Sequence, residues 1–211
     1  MFKAALFDLD GVIFDTEPQY SIFWGAMCRK YHPEQPGLEN RIKGQTLVQI
    51  FEGHFKDMPE AQADILAGLD EYEGHMSYDY VKGFERFIST LRQHGVLTAL
   101  VTSSNIPKMQ SVYRAHPELE SFFDAILTSE HFRESKPAPD CYLQAARTLG
   151  VDTHECVVFE DSFNGLQSGR AAGMTVVGLS TTNAAEAITS LCDRVIPDFT
   201  GIDFNQCANL L

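Results

Sequence analysis

Six short apolar runs punctuate the chain, at residues 3–7, 96–101, 125–127, 156–159, 175–177 and 194–196. Runs of that length bounded by polar or glycine residues read as buried strands. Four of the stretches between them, residues 83–94, 107–115, 138–149 and 162–172, carry helix patterns, and Gly95, Gly150 and Gly173 stop three of these. Strand and helix repeated in turn leave few topologies open. The fold class expected is α/β: a three-layer, Rossmann-like core with a parallel sheet between helices.

One interval breaks the alternation. Residues 16–79 show no strand pattern, only helix-compatible stretches at 19–30, 47–54 and 59–75. The reading is an inserted α-helical cap of residues 16–79 on a catalytic core of residues 1–15 and 80–211. The insertion leaves the core directly after the first strand, so it should lie over the carboxyl ends of the strands, where open parallel sheets bind ligands. A lid there excludes water and selects substrate.

Composition narrows the function. A formal net charge of −13 over 211 residues opposes nucleic-acid binding, which needs a basic face to release counterions. No segment approaches the ~18 apolar residues of a membrane span, and the start of the chain lacks a secretory pattern, so the expectation is a cytoplasmic protein without membrane contact. The five cysteines, Cys28, Cys141, Cys156, Cys192 and Cys207, never form C-x-x-C and read as reduced packing residues. No histidine pair with zinc spacing and no nucleotide-binding glycine pattern is present. A small anionic partner stays open, since a few local cations, helix N-termini or a metal can hold one whatever the overall sign, and the chain is expected to act as a monomer.

The chemistry gathers where the strands end. The first run is followed by DLDGV at residues 8–12, which sets two carboxylates one residue apart at the mouth of a buried strand. They repel unless a cation lies between them. A calcium loop fails, because the twelfth position from Asp8 is Gln19, where an EF-hand requires Glu. The other strands run into Thr102-Ser103-Ser104-Asn105, into Lys136-Pro137 after a loop, and into Glu160-Asp161. Taken singly these have ordinary readings as a helix cap, a surface charge and a polar helix start. Taken together they supply acidic groups for Mg²⁺, a nucleophile, a hydroxyl and amides for phosphate oxygens, and one cation.

Through DLDGV at 8–12, VTSSN at 101–105, KPAPD at 136–140 and VFEDS at 158–162, in that order, the sequence resembles the haloacid dehalogenase superfamily, and within it the β-phosphoglucomutase-like branch. The resemblance implies a Mg²⁺-dependent phosphatase that acts on a small phosphorylated metabolite through an aspartyl phosphate. Asp8 would be the nucleophile and Asp10 the general acid and base. Mg²⁺ would be held by the Asp8 side chain, the Asp10 backbone carbonyl and Asp161, with Glu160 acting directly or through water. Thr102 and neighbouring amides would receive phosphate oxygens and Lys136 would neutralise charge, with Ser103 and Asn105 as further phosphate candidates.

The alternative the resemblance carries is a sugar phosphomutase. The mutase cap offers a His and an Arg where this chain has Tyr20 and Leu47, although the KGQT segment at 43–46 matches. Leu47 cannot grip a second phosphate as a guanidinium does, which favours the phosphatase. Glu17, Tyr20, Trp24, Arg41 and Lys43 flank the hinge or the matching segment and are the cap residues expected to be candidates to face the site, with Glu17 and Lys43 assigned to substrate binding and Trp24, with Phe23, read first as cap core. A dehalogenase proper is disfavoured by Asp10, and a non-catalytic phospho-accepting receiver-like module by the long insertion.

Overall fold

The computed structural model describes residues 2–43 and 45–211. The chain opens with β1 (Ala4–Phe7), every residue of which is buried. A strand so apolar along its whole length suits a sheet covered on both faces. Four helices follow, α1 (Glu17–Tyr31), α2 (Leu38–Arg41), α3 (Leu47–His54) and α4 (Pro59–Glu73). The alternation then begins: α5 (Phe84–Gln93), β2 (Leu97–Val101), α6 (Ile106–Ala115), β3 (Ala125–Leu127), α7 (Asp140–Leu149), β4 (Cys156–Glu160), α8 (Phe163–Ala171), β5 (Thr175–Leu179), α9 (Ala185–Ile188), β6 (Arg194–Ile196) and α10 (Phe204–Ala208).

The strands pair in parallel in the order β3-β2-β1-β4-β5-β6. β1 and β4 lie side by side with Phe7 opposite Phe159, and the chain winds away from them in both directions. This is the reversal point of a doubly wound sheet, where the loops leaving two adjacent strands diverge and open a crevice. Period-two alternation sends Leu6 into the apolar layer with Val101, Tyr142 and Val158, and Phe7 into the opposite layer with Phe87 and Phe199. Phe7 and Phe159 stack with ring centroids 4.7 Å apart. Such pairs contribute ~0.5–1.5 kcal/mol beyond the area they bury.

Helices α1 to α4 hold an apolar core of their own, built on Phe23, Leu38, Ile50, Phe55 and Ile65. Two passes of chain join them to the sheet. Phe14 bridges Tyr80, the Asp15 amide donates to the Asp79 carbonyl at 2.9 Å, and the Val81 amide donates to the Ile13 carbonyl at 2.8 Å. The elements the sequence did not signal, α2, α9 and α10, are only four or five residues long. A hydrophobic period has no room to develop in them. No described helix is long and apolar enough to cross a membrane.

Candidate active site

Asp8 follows β1 and enters a tight turn. Gly11 has a φ of 73°, and a Cβ there would strike the Asp161 carboxylate and the Thr182 hydroxyl, so glycine is required on both counts. The turn closes through the Gly11 amide donating to the Phe14 carbonyl at 2.8 Å, while the Ile13 and Phe14 amides share the Leu9 carbonyl. The turn packs at Gly11 against Asp161, just beyond the end of β4, which the sheet already holds beside β1.

Lys136 is buried, not a surface charge. Its Nζ donates to Asp8 Oδ1 at 2.6 Å, to Glu160 Oε1 at 2.6 Å and to the Val101 carbonyl at 3.2 Å. Burial opposes the ammonium, but the Asp8 and Glu160 carboxylates outweigh it and hold the Lys136 pKa well above the usual lysine value. Glu160 Oε1 also accepts from the Tyr142 hydroxyl at 2.9 Å. Its other oxygen takes the amides of Asp161 and Ser162 and the Ser162 hydroxyl, between 3.0 and 3.3 Å. With both oxygens engaged, Glu160 is placed to hold Lys136. Of the two alternatives read from sequence, that geometry favours an indirect relation to a metal over direct ligation.

Carboxylate oxygens of Asp8, Glu160 and Asp161 lie within 4.8 Å of one another. Three carboxylates face one ammonium. Burial pushes the Asp8 carboxyl up to about 7, although Lys136 pulls it down. Burial, then the charges of Glu160 and Asp8, push Asp161 well above the carboxylate range despite the Thr182 hydroxyl that donates to it. The donor set is all oxygen, buried and short of positive charge, which fits a hard divalent cation.

Asp10, the second carboxylate of the turn, points elsewhere. Its Oδ1 accepts from the buried Thr16 hydroxyl at 2.8 Å, and its Oδ2 from the Lys108 ammonium and, at 3.4 Å, from the Ser104 hydroxyl. Thr102 is buried at the end of β2, and its hydroxyl accepts from the Ser104 amide at 3.0 Å. Asn105 Oδ1 accepts from the Lys108 amide at 3.0 Å and caps α6. Its carbonyl oxygen therefore serves the helix, which is the ordinary reading of that position.

A cavity of about 420 Å³ stands above these groups, with Asp8, Asp10, Ser103, Lys136 and Asp161 on the sheet side. Its opposite wall carries Glu17, Tyr20, Trp24, Lys43, Leu47 and Glu73. Burial pushes the Glu17 carboxyl up, against Lys43, whose Nζ lies 3.6 Å away. Tyr20 donates its hydroxyl to Glu73 at 2.7 Å. Trp24, read from sequence as cap core, both packs edge-on to Phe23 and lines the cavity, because an indole is long enough to do both. Arg41 lies outside the cavity and donates to Gln35 at 2.9 Å.

Sequence reasoning missed Thr16, Glu73, Lys108, Tyr142 and Thr182. Lys108 had a signal. It sits three residues after the N-cap Asn105, and side chains in a first helical turn lean back towards the N-terminus, here towards the strand ends. Thr16 depends on how the turn after β1 folds back on Asp10, and Glu73, Tyr142 and Thr182 on packing between distant elements.

The chain belongs to the haloacid dehalogenase-like hydrolases, whose family model matches residues 2–173. It is 31% identical over 186 residues to hexitol phosphatase A of Escherichia coli (strain K12), covering 84% of this chain and 83% of that one. It is 29% identical over 195 residues to the fructose-1-phosphate phosphatase of the same organism, covering 83% and 95%. In fold it is similar to a haloacid dehalogenase-type hydrolase of Entamoeba histolytica, with a TM-score of 0.87, 24% identity and 99% of each chain covered. It is also similar to a β-phosphoglucomutase of Clostridium difficile, with a TM-score of 0.75, 21% identity, and 100% of this chain and 97% of that one covered.

Proposed function

We propose that this chain is a Mg²⁺-dependent phosphatase that hydrolyses a small phosphorylated metabolite, a sugar phosphate or similar phosphomonoester, through an aspartyl phosphate on Asp8. The observation that carries the reading is the Asp8–Lys136 pair, 2.6 Å apart on the floor of the cavity. A carboxylate so placed can reach a phosphorus atom, and the ammonium beside it meets the negative charge of the phosphoryl oxygens.

In the first half-reaction an Asp8 oxygen bonds to phosphorus as the ester P–O bond breaks, and Asp10 gives a proton to the departing oxygen. In the second, Asp10 takes a proton from a water whose oxygen bonds to phosphorus while the Asp8–phosphorus bond breaks. Thr102, Ser103 and the amides of their loop hold phosphoryl oxygens, with Asn105 a further candidate through its side-chain NH₂, and Lys136 stabilises charge on the group in transit. Asp8, the Asp10 carbonyl and Asp161 would hold the Mg²⁺, with Glu160 behind them. Bound there, the ion supplies charge that keeps Asp8 ionised and screens it from the phosphate.

Residues 16–79 are proposed as a cap on a core of residues 1–15 and 80–211, a division supported by the separate apolar core of α1 to α4 and the double crossing beside Phe14 and Tyr80. Glu17 and Lys43 would meet the leaving group. A monomer is proposed, and the five buried, unpaired cysteines are in keeping with the reducing cytoplasm. Two relatives named as sugar-related phosphatases support a sugar or polyol phosphate as substrate. A mutase is disfavoured because Tyr20 is tied to Glu73 and Leu47 offers no cation. The test is a panel of phosphomonoesters assayed for phosphate release with and without Mg²⁺. Release that needs both Mg²⁺ and Asp8 is the expected result, and release undiminished in Asp8→Asn would refute the mechanism.

A further inference from the structure

Lys108 has no place in the chemistry above, yet it is the cation nearest Asp10. Its side chain is only 6% exposed. The Asn105 cap fixes the first turn of α6, and from there the ammonium meets Asp10 Oδ2, lies 3.9 Å from Glu73 Oε1 and stands 4.8 Å from the centre of the Tyr20 ring. Asp10 belongs to the turn after β1, Lys108 to α6, Glu73 to the end of α4 and Tyr20 to α1. The four side chains form one connected line from the sheet to the cap helices.

The partners on that line are unequal. Asp10 is in direct contact with the ammonium, whereas Glu73 is at the outer limit of an ion pair and has the Tyr20 hydroxyl as its own close partner at 2.7 Å. On the sheet side, Thr16 fixes the other Asp10 oxygen at 2.8 Å. A carboxylate gripped on one oxygen by a hydroxyl and on the other by an ammonium has little freedom about its last torsion. Lys108, itself seated between two elements, decides where that carboxylate points.

We infer that Lys108 is the positioning residue of Asp10, and that through Glu73 its grip depends on how the cap helices sit over the sheet. The inference rests on the proposed phosphatase mechanism. In that mechanism Asp10 must meet the ester oxygen as the P–O bond breaks and give it a proton. A carboxylate displaced by even about 1 Å costs on the order of 10²-fold in rate.

The leaving group makes the test specific. An alkyl phosphate needs the proton from Asp10, whereas p-nitrophenyl phosphate releases a stable phenolate that leaves without one. In single-turnover experiments Lys108→Met should slow release of the alcohol from an alkyl phosphate by ~10², and leave the initial release of nitrophenolate within a few-fold of the parent enzyme. Lys108→Arg, which keeps the charge, should recover part of the loss. Glu73→Gln, which keeps the shape and the tyrosine contact, should slow alkyl-ester turnover by roughly 2- to 5-fold, the weight of a modest ion pair.

Equal slowing of both substrates in Lys108→Met would show a pocket merely distorted and would overturn the inference, as would a raised KM with unchanged kcat, which marks a substrate contact. Glu73→Gln indistinguishable from the parent would overturn the link to the cap. Failure of the mechanism itself looks different. The parent enzyme then shows no Asp8-dependent release from either substrate.

Discussion

The two walls of the cavity are built differently. The sheet side presents groups at the ends of β1, β2 and β4 or in the loop that supplies Lys136, and Lys136 and Glu160 there are almost wholly buried with several partners each. The helical side presents Glu17 and Lys43, which hold each other through one contact, and Tyr20, whose hydroxyl bonds Glu73 and whose ring lies beside Lys108. Buried carboxylates and ammonium groups leave water only where several partners compensate each, so the sheet-side arrangement is tightly specified. Side chains with fewer partners can be exchanged at smaller cost. The difference separates a fixed site of bond making from a wall free to be adapted to a leaving group.

Mutations on the sheet side should therefore have the larger effects. Asp8→Asn keeps the shape and removes the nucleophile, and kcat with any phosphomonoester should fall by roughly 10⁴ or more in a phosphate-release assay. Loss of that size with intact circular dichroism is required if the floor acts as described. Asp10→Asn should slow both half-reactions by ~10² to 10⁴, the usual weight of a general acid or base. Rapid-quench kinetics resolve the two halves, and a normal rate in both would remove Asp10 from the chemistry.

Asp161→Ala comes next. Metal affinity should drop by at least ~10-fold, since even indirect partners of a metal carry that much, and activity should return in part at high Mg²⁺. An unaltered Mg²⁺ titration would exclude Asp161 from the metal shell. The same cluster governs stability without metal. Asp8, moved by burial from 3.8 to about 7, binds its proton more readily folded than unfolded, so stability is lost as pH rises from about 4 through about 7. Thermal melts of metal-free protein at about pH 5 and about pH 8 should show the decline, and Mg²⁺ should reverse it at the upper pH. A melting temperature indifferent to both would mean that the carboxylates are not in conflict.

On the helical side the effects should be small. Tyr20→Phe removes one hydrogen bond and should change KM by roughly 2- to 12-fold, the equivalent of about 0.5–1.5 kcal/mol, with little change in kcat. A fall in kcat as large as that of Asp10→Asn would erase the distinction between the two walls. The same distinction bears on the mutase alternative. With β-glucose 1-phosphate and catalytic glucose 1,6-bisphosphate, inorganic phosphate should form faster than glucose 6-phosphate if the sugar reacts at all. Glucose 6-phosphate in large excess would mean that this wall holds a bisphosphate after all.

The same contrast explains what could be read from the sequence. Residues 125–127 and 194–196 were marked as strands and are strands, and DLDGV was placed at a strand end, because short apolar runs and strand–helix alternation leave little choice of topology. Once the strands are placed, whatever follows them lies at one edge. Asp8, Lys136, Glu160 and Asp161 accordingly meet, although 128 residues separate the first two. Lys108 and Glu73 were not read because their roles depend on the rotation of α6 and the seating of α4. For Trp24 the sequence offers the cavity and the cap core as alternatives and favours the core, because periodicity gives a face and not the reach of a side chain that serves both. Arg41 is grouped with the cavity by nearness in sequence to Lys43, but from the last position of α2 it reaches back to Gln35, ahead of that helix, instead.

The most direct measurement is to mix the enzyme with a phosphomonoester, quench in acid within a single turnover, and map the phosphorylated residue by mass spectrometry. Phosphoryl on Asp8, accumulating further in Asp10→Asn if breakdown is slowed more than formation, and absent from Asp8→Asn, is the expected result. Turnover by the parent enzyme with no phosphoryl at Asp8 at any quench time, or with phosphoryl on another residue, would contradict the covalent role of Asp8 on which the reading of the cavity rests.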